Sequence, residues 1–236
     1  MSDELVAIDL SHHNTVSDFQ AVADSGIVGV FHKATEGTSF VDAMYASRQA
    51  EALAVGLKWG AYHFLRHGDA AEQMASFVAN SCLAWGSRVA IDYEDPDCTL
   101  EDLHDALEWL GANAPDLEVA IYGGSLLKEQ INGDYYGDLA QSALWLAHYT
   151  EGTPSWPKNT WPQWTLWQYT DSETVPGIDG PVDGNRFNGS RENCALWFGP
   201  VERAPEAPVV ALATVKIEIT APEGVELEIV VNGTAR

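Results

Sequence analysis

Two carboxylates stand two residues apart in Ile91-Asp92-Tyr93-Glu94, where an apolar run gives way to acid. Side chains alternate along an extended chain, so Asp92 and Glu94 share a face there, with Cα atoms about 6.5 Å apart. Anions that close resist joint ionisation, and one of the pair keeps its proton to higher pH. A carboxyl that holds a proton beside one that has lost it can split a glycosidic bond. The first protonates the leaving oxygen, and the second faces the positive charge developing on the sugar. Two more acids accompany apolar runs, Asp9 in Val6-Ala7-Ile8-Asp9 and Asp183 in Pro181-Val182-Asp183-Gly184-Asn185. Plainer roles compete: Asp92, Glu94, Asp95 and Asp97 suit a solvated acidic loop, and Asp9 suits a turn or cap ahead of Ser11.

Such acids need strands to aim them. β-branched runs predict strands over residues 5–10, 27–32, 58–65, 88–92, 117–122, 143–147 and 165–169. Amphipathic stretches predict helices over 18–25, 42–55 and 69–83, and a further one after Thr99, whose Glu101 and Asp102 suit the positive end of a helix dipole. This βα alternation predicts a closed parallel barrel or an open doubly wound sheet, with chemistry at the C-terminal ends of the strands.

The 236 residues carry 35 acidic and 12 basic side chains, a formal charge of −23, and 46% are hydrophobic. That composition supports a folded core and disfavours nucleic acid and anionic membranes as partners. The composition shifts near Pro200. Residues 1–199 read as one domain, 200–208 as a linker holding Pro205 and Pro208, and 209–236 as a β-rich tail. In the tail, Val215, Ile217 and Ile219 share one strand face, Val225, Leu227, Ile229 and Val231 another, and Pro222-Glu223-Gly224 turns between them. A lone hairpin is marginal in water, so the tail is expected to pack on the body or to pair with a second copy.

Cys82, Cys98 and Cys194 are odd in number and far apart, which predicts buried reduced thiols rather than a disulfide framework or zinc site. The acidic start Met1-Ser2-Asp3-Glu4 lacks the features of a secretory signal, so synthesis in the cytoplasm is expected. No stretch approaches a membrane span of about 20 apolar residues.

Five of the nine tryptophans, Trp145, Trp156, Trp161, Trp164 and Trp167, cluster with Tyr149 and Tyr169. Flat apolar faces with a polar handle suit sugar rings, although a core role accounts for most of them. Eight ordered blocks sharpen the reading: Val6-Ala7-Ile8-Asp9-Leu10-Ser11, Phe31-His32-Lys33-Ala34-Thr35-Glu36-Gly37, Gly60-Ala61-Tyr62-His63-Phe64, Ile91-Asp92-Tyr93-Glu94, Ile121-Tyr122, Leu144-Trp145-Leu146-Ala147, Trp167-Gln168-Tyr169 and Val182-Asp183-Gly184-Asn185-Arg186-Phe187. From about residue 5 to residue 198 the chain resembles glycoside hydrolase family 25, the Chalaropsis-type lysozymes of fungi, bacteria and phages.

The resemblance implies an irregular, TIM-like β/α barrel. It also implies hydrolysis of the β-1,4 bond between N-acetylmuramic acid and N-acetylglucosamine in peptidoglycan, by inversion or by retention assisted by the substrate's acetamido oxygen. Glu94 would be the general acid. Asp92 would orient the N-acetyl group or stabilise positive charge, and Asp9 and Asp183 would complete an acidic floor. Tyr62, Phe64, Tyr93, Tyr122, Trp145 and Gln168 would line the groove. No cofactor or metal is implied. His32 departs from the family pattern, where an apolar residue is commoner, and reads as a structural histidine. The biology expected is a phage or prophage endolysin that reaches the bacterial wall after holin-type release.

Two rivals remain at this stage. A metal-dependent hydrolase would draw on Asp9, His12, His63, Asp92 and His148, yet no HxH or HExxH is present. A non-catalytic wall-glycan binder on the same barrel would have no physical need for crowded acids.

Overall fold

The structure, a computed structural model, describes residues 4–199 except Trp85. The proposed linker, and the tail with its possible self-association, lie outside the described residues. Eight strands form the barrel: β1 (Ala7–Leu10), β2 (Gly29–Glu36), β3 (Lys58–Phe64), β4 (Arg88–Asp92), β5 (Glu118–Gly123), β6 (Ala143–Ala147), β7 (Leu166–Glu173) and β8 (Val182–Phe187). From β1 to β7 each strand pairs in parallel with the next. β8 then closes the ring antiparallel to both β7 and β1. The closed sheet settles the choice left open by the alternation, and its last strand departs from the all-parallel expectation. Asp183 consequently stands near the start of its strand, at the same mouth as the ends of the others.

The helices α1 (Phe19–Asp24), α2 (Tyr45–Ala54), α3 (Ala70–Asn80), α4 (Leu100–Asn113), α5 (Ser125–Ile131) and α6 (Arg191–Trp197) are shorter than the periodicity suggested where a prediction existed. Caps explain several boundaries. Asp18 accepts from the backbone N–H groups of Gln20 and Ala21, Asp69 accepts from that of Glu72, and Thr99 forms a reciprocal capping box with Asp102. β2 runs past its predicted end at His32 through polar residues, because each finds a partner. Lys33 pairs with Glu36, Thr35 meets His63 Nδ1 at 2.7 Å, and His32 Nδ1 meets its neighbour's carbonyl at 2.8 Å. His32 also stacks on Trp59, as expected of a structural histidine.

Period-two alternation separates two cores. Ile8, Val30, Val89, Ile91, Ile121, Leu144 and Leu146 point outward under the helices. Ala7, Phe31, Ala90, Ala120, Trp145 and Leu166 point into the barrel, and Phe198 and Cys194 from the α6 segment pack with them. Small residues on several strands make room for the stacked rings of Phe31 and Trp145, whose centroids are 4.5 Å apart. Gly60 is required here, since a Cβ on it would overlap the Phe31 ring. Trp161, Trp164 and Trp167 are core residues and Trp156 packs half-buried against the same core, which leaves Trp145 as the member of the tryptophan cluster inside the barrel. Cys98 and Cys194 are buried, whereas Cys82 is exposed at φ 46°, contrary to expectation.

Candidate active site

The inward positions one step above the apolar layer carry the polar residues. Ala7 is followed two residues later by Asp9, Gly60 by Tyr62, Ala90 by Asp92, Ala120 by Tyr122 and Leu166 by Gln168. From β8 come Asp183, the register partner of Asp9, and Asn185. The result is a cavity of about 200 Å³ lined by Asp9, Tyr62, Asp92, Glu94, Tyr122, Trp145, Tyr149, Gln168 and Asp183. A larger hollow of about 960 Å³ lies beside Arg88 and Glu118, which begin β4 and β5, at the opposite end of the barrel from the carboxylates.

Asp9 is the hub of the floor. Its Oδ2 accepts from Asn185 Nδ2 at 2.8 Å and from Gln168 Nε2 at 3.0 Å. The other side of each amide is fixed in turn. Gln168 Oε1 accepts from the hydroxyls of Tyr122 and Tyr149, both at 2.8 Å, and Asn185 Oδ1 accepts from Trp145 Nε1 at 2.6 Å. Donors that cannot turn away hold the carboxyl in one orientation, so Asp9 is neither a turn residue nor a helix cap. Burial nevertheless raises its pKa well above the usual range, and the Asp183 charge adds to the rise.

Asp92 ends β4, and its Oδ1 is buried without a hydrogen-bond partner. Burial and the charge of Glu94 raise its pKa well above normal, while Lys33 opposes them. Glu94 lies two residues beyond, exposed at the cavity edge. Partial burial and the Asp183 charge raise its pKa, again against Lys33. The loop that presents Glu94 is pinned on both sides. Tyr93 N–H donates to the Tyr122 carbonyl at 2.9 Å, and Arg66 Nη1 meets Asp95 Oδ2 at 3.0 Å while also holding Glu36. Asp95 is thus an anchor for the loop. Burial and neighbouring carboxylates also raise the phenol pKa of Tyr62 and Tyr122, which stay neutral donors.

Eight of the ten site residues expected from the sequence line this cavity; Phe64 and Tyr93 do not. Tyr93 points outward between Asp92 and Glu94, as alternation requires, and its hydroxyl donates to Gln130 Oε1. The Phe64 ring instead lies beneath the cations of Lys33 and Arg66, 4.7 and 4.5 Å from its centroid. Asn185 and Lys33 had been given no role at the site, and Tyr149 only a general one as part of the aromatic cluster. Asn185 was detectable as the inward neighbour of Asp183 two positions on, and Lys33 as that of Phe31. Tyr149 lies beyond its strand, where no period places it.

The histidines of the metal reading are dispersed. His12 pairs with Asp42 at 3.0 Å, His63 sits between Thr35 and Gln73, and His148 accepts from Ser155 N–H.

The cavity continues past Glu94, Tyr122 and Tyr149 into a groove of about 540 Å³. A carboxyl with a raised pKa therefore stands where a one-sugar pocket meets a longer channel, beside three further acids. This arrangement can hold a glycan across Glu94 and protonate the oxygen of the bond lying over it.

Comparison with known proteins agrees with this chemistry. The model of glycosyl hydrolases family 25 matches residues 8–178, ending short of Asp183. Lysozyme M1 of Streptomyces globisporus is 29% identical over 199 residues, covering 78% of this chain and 67% of its own. The bacterial lysozyme of Streptomyces coelicolor superposes with a TM-score of 0.74 at 27% identity, covering 83% of this chain and 98% of that one. A family 25 glycosyl hydrolase from Bacillus anthracis shares the fold, with a TM-score of 0.68 at 22% identity over 83% of this chain and 94% of that one.

Proposed function

The chain belongs to glycosyl hydrolases family 25, and on that footing we propose that it is a muramidase. It hydrolyses the β-1,4 bond between N-acetylmuramic acid and N-acetylglucosamine in bacterial peptidoglycan. The observation that carries this reading is the place of Glu94, a carboxyl with a raised pKa at the junction of the small acidic cavity and the groove. Glu94 donates its proton to the glycosidic oxygen as the bond breaks. Asp92, with a buried oxygen that lacks a donor, takes the substrate's acetamido N–H or faces the developing positive charge. Asp9 and Asp183 complete the negative floor, and Tyr62, Tyr122, Trp145 and Gln168 shape the cavity around the sugar.

We further propose that the protein serves as a phage or prophage endolysin acting on the bacterial wall. Its presence outside intact, uninfected cells would count against that part. Among the described residues no helix is long and apolar enough to cross a membrane.

The chemistry is tested by digesting purified peptidoglycan with the wild type and with Glu94→Gln, assaying new reducing ends and weighing the fragments by mass spectrometry. Reducing muramic acid ends from the wild type, cut by a factor of about 100 or more in the variant, are expected. Reducing glucosamine ends would mean that the other bond is cleaved. Binding without cleavage would leave a wall-glycan receptor.

A further inference from the structure

We propose that the groove beside the acidic cavity binds the carboxylate-bearing peptide arm of a muramic acid residue, with Lys128 as the cation that receives it. The inference rests on the muramidase reading. The groove joins the cavity at Glu94, Tyr122 and Tyr149, and Lys128 and His148 also line it. Lys128 projects from α5 and is half-buried.

The other lysines and arginines among the described residues each have a carboxylate, a carbonyl or an aromatic ring as side-chain partner. Among those residues Lys128 makes no such hydrogen bond, ion pair or ring contact, and burial lowers its pKa. An ammonium that has shed water without gaining a counter-ion is stabilised by an anionic ligand.

Electrostatics assigns the direction. The cavity gathers four carboxylates, so a substrate bearing acids of its own is repelled from that side. Lys128 gives those acids a destination along the groove. His148 adds a neutral donor: its Nδ1 accepts from Ser155 N–H at 3.0 Å, which leaves the ring proton on Nε2. Burial and the nearby Lys128 charge lower its pKa and keep it neutral. The groove, about 540 Å³ against about 200 Å³ for the cavity, has room for more than a sugar ring.

The test uses soluble glycan chains carrying their peptides and the same chains stripped of peptide by an amidase. Binding by calorimetry and cleavage are measured for the full-length wild type, Lys128→Met and Lys128→Arg. The wild type is expected to prefer peptide-bearing chains by about tenfold. Lys128→Met should lose that preference, and Lys128→Arg should keep it. Matching thermal melts would show that the variants fold, since Lys128 supports no other side chain. A preference that survives in Lys128→Met, or its absence in the wild type, overturns the proposal. Cleavage by a wild type without preference defeats the arm site alone, whereas a Lys128-dependent preference without cleavage defeats the muramidase reading alone.

Discussion

Asp9 and Asp183 face one another as register partners on β1 and β8, and the charge of Asp183 adds to the rise in the Asp9 pKa. Both carboxyl pKa values lie above normal, raised first by burial. A raised carboxyl pKa means that the folded state holds protons longer than the unfolded state, so stability falls as pH climbs through the folded value. Asp183→Asn should therefore raise Tm at pH 7 by about 2 °C, a figure kept small because Asp183 is partly exposed. Near pH 3 the gain should vanish, because both carboxyls are then protonated. Melting curves at the two pH values decide it; an equal gain at both would point to packing instead of charge.

The same substitution bears on catalysis. Asp183 is the main charge holding up the pKa of Glu94, after burial. Removing it makes Glu94 release its proton at lower pH, and a general acid works only while protonated. The alkaline limb of the rate profile should move to lower pH in Asp183→Asn, whatever the loss in absolute rate. An unmoved limb would show that another group sets it.

Buried histidines give stability the opposite slope. Burial takes His32 and His63 from 6.5 down to about 4, so both are neutral in the fold but charge in the unfolded chain between those values. Their contribution is complete above pH 6.5 and is lost as pH falls towards 4. Each unit of depression corresponds to about 1.4 kcal/mol. The acidic floor titrates in the contrary sense, so the informative quantity is a difference. Denaturant unfolding at pH 7.5 and 5 should show a smaller acid loss for His63→Gln than for the wild type.

Gly60→Ala should damage both core and site. Its methyl would enter the Phe31 ring, and Phe31 stacks on Trp145, which donates to Asn185 beside Asp9. A cost of about 1–3 kcal/mol is expected from overpacking, together with a loss of activity. Adding Phe31→Leu should recover part of the stability. A Gly60→Ala protein with wild-type Tm and rate would show that the barrel interior yields more than its packing implies.

Much of this was legible in the chain, and the failures have physical causes. Strand centres such as Val89-Ala90-Ile91 announced themselves by apolar character, and Thr99 with Asp102 announced a helix start. Asp92 and Glu94 stood out because acid directly follows such a run, and both line the cavity. Tyr93, placed in the groove by the family resemblance, is turned outward to Gln130, as alternation alone requires. The extension of β2 through Lys33, Thr35 and Glu36 was hidden because their partners are distant or depend on the fold, as with His63 for Thr35. Nor does local pattern reveal direction: nothing in Val182-Asp183-Gly184-Asn185 says that this strand runs against its neighbours.

That reversed last strand also sets a timetable. Asp9 is translated 176 residues before the Asn185 amide that orients it. On the ribosome, β1 waits with one edge open through the synthesis of six further barrel strands, and a contact of such span is slow to close. A nascent chain stopped before Val182 has most of its helices and Glu94 but an unfinished floor. The carboxylate floor is thus completed late, and any nascent chain that stops short of β8 lacks it by the order in which the strands are made.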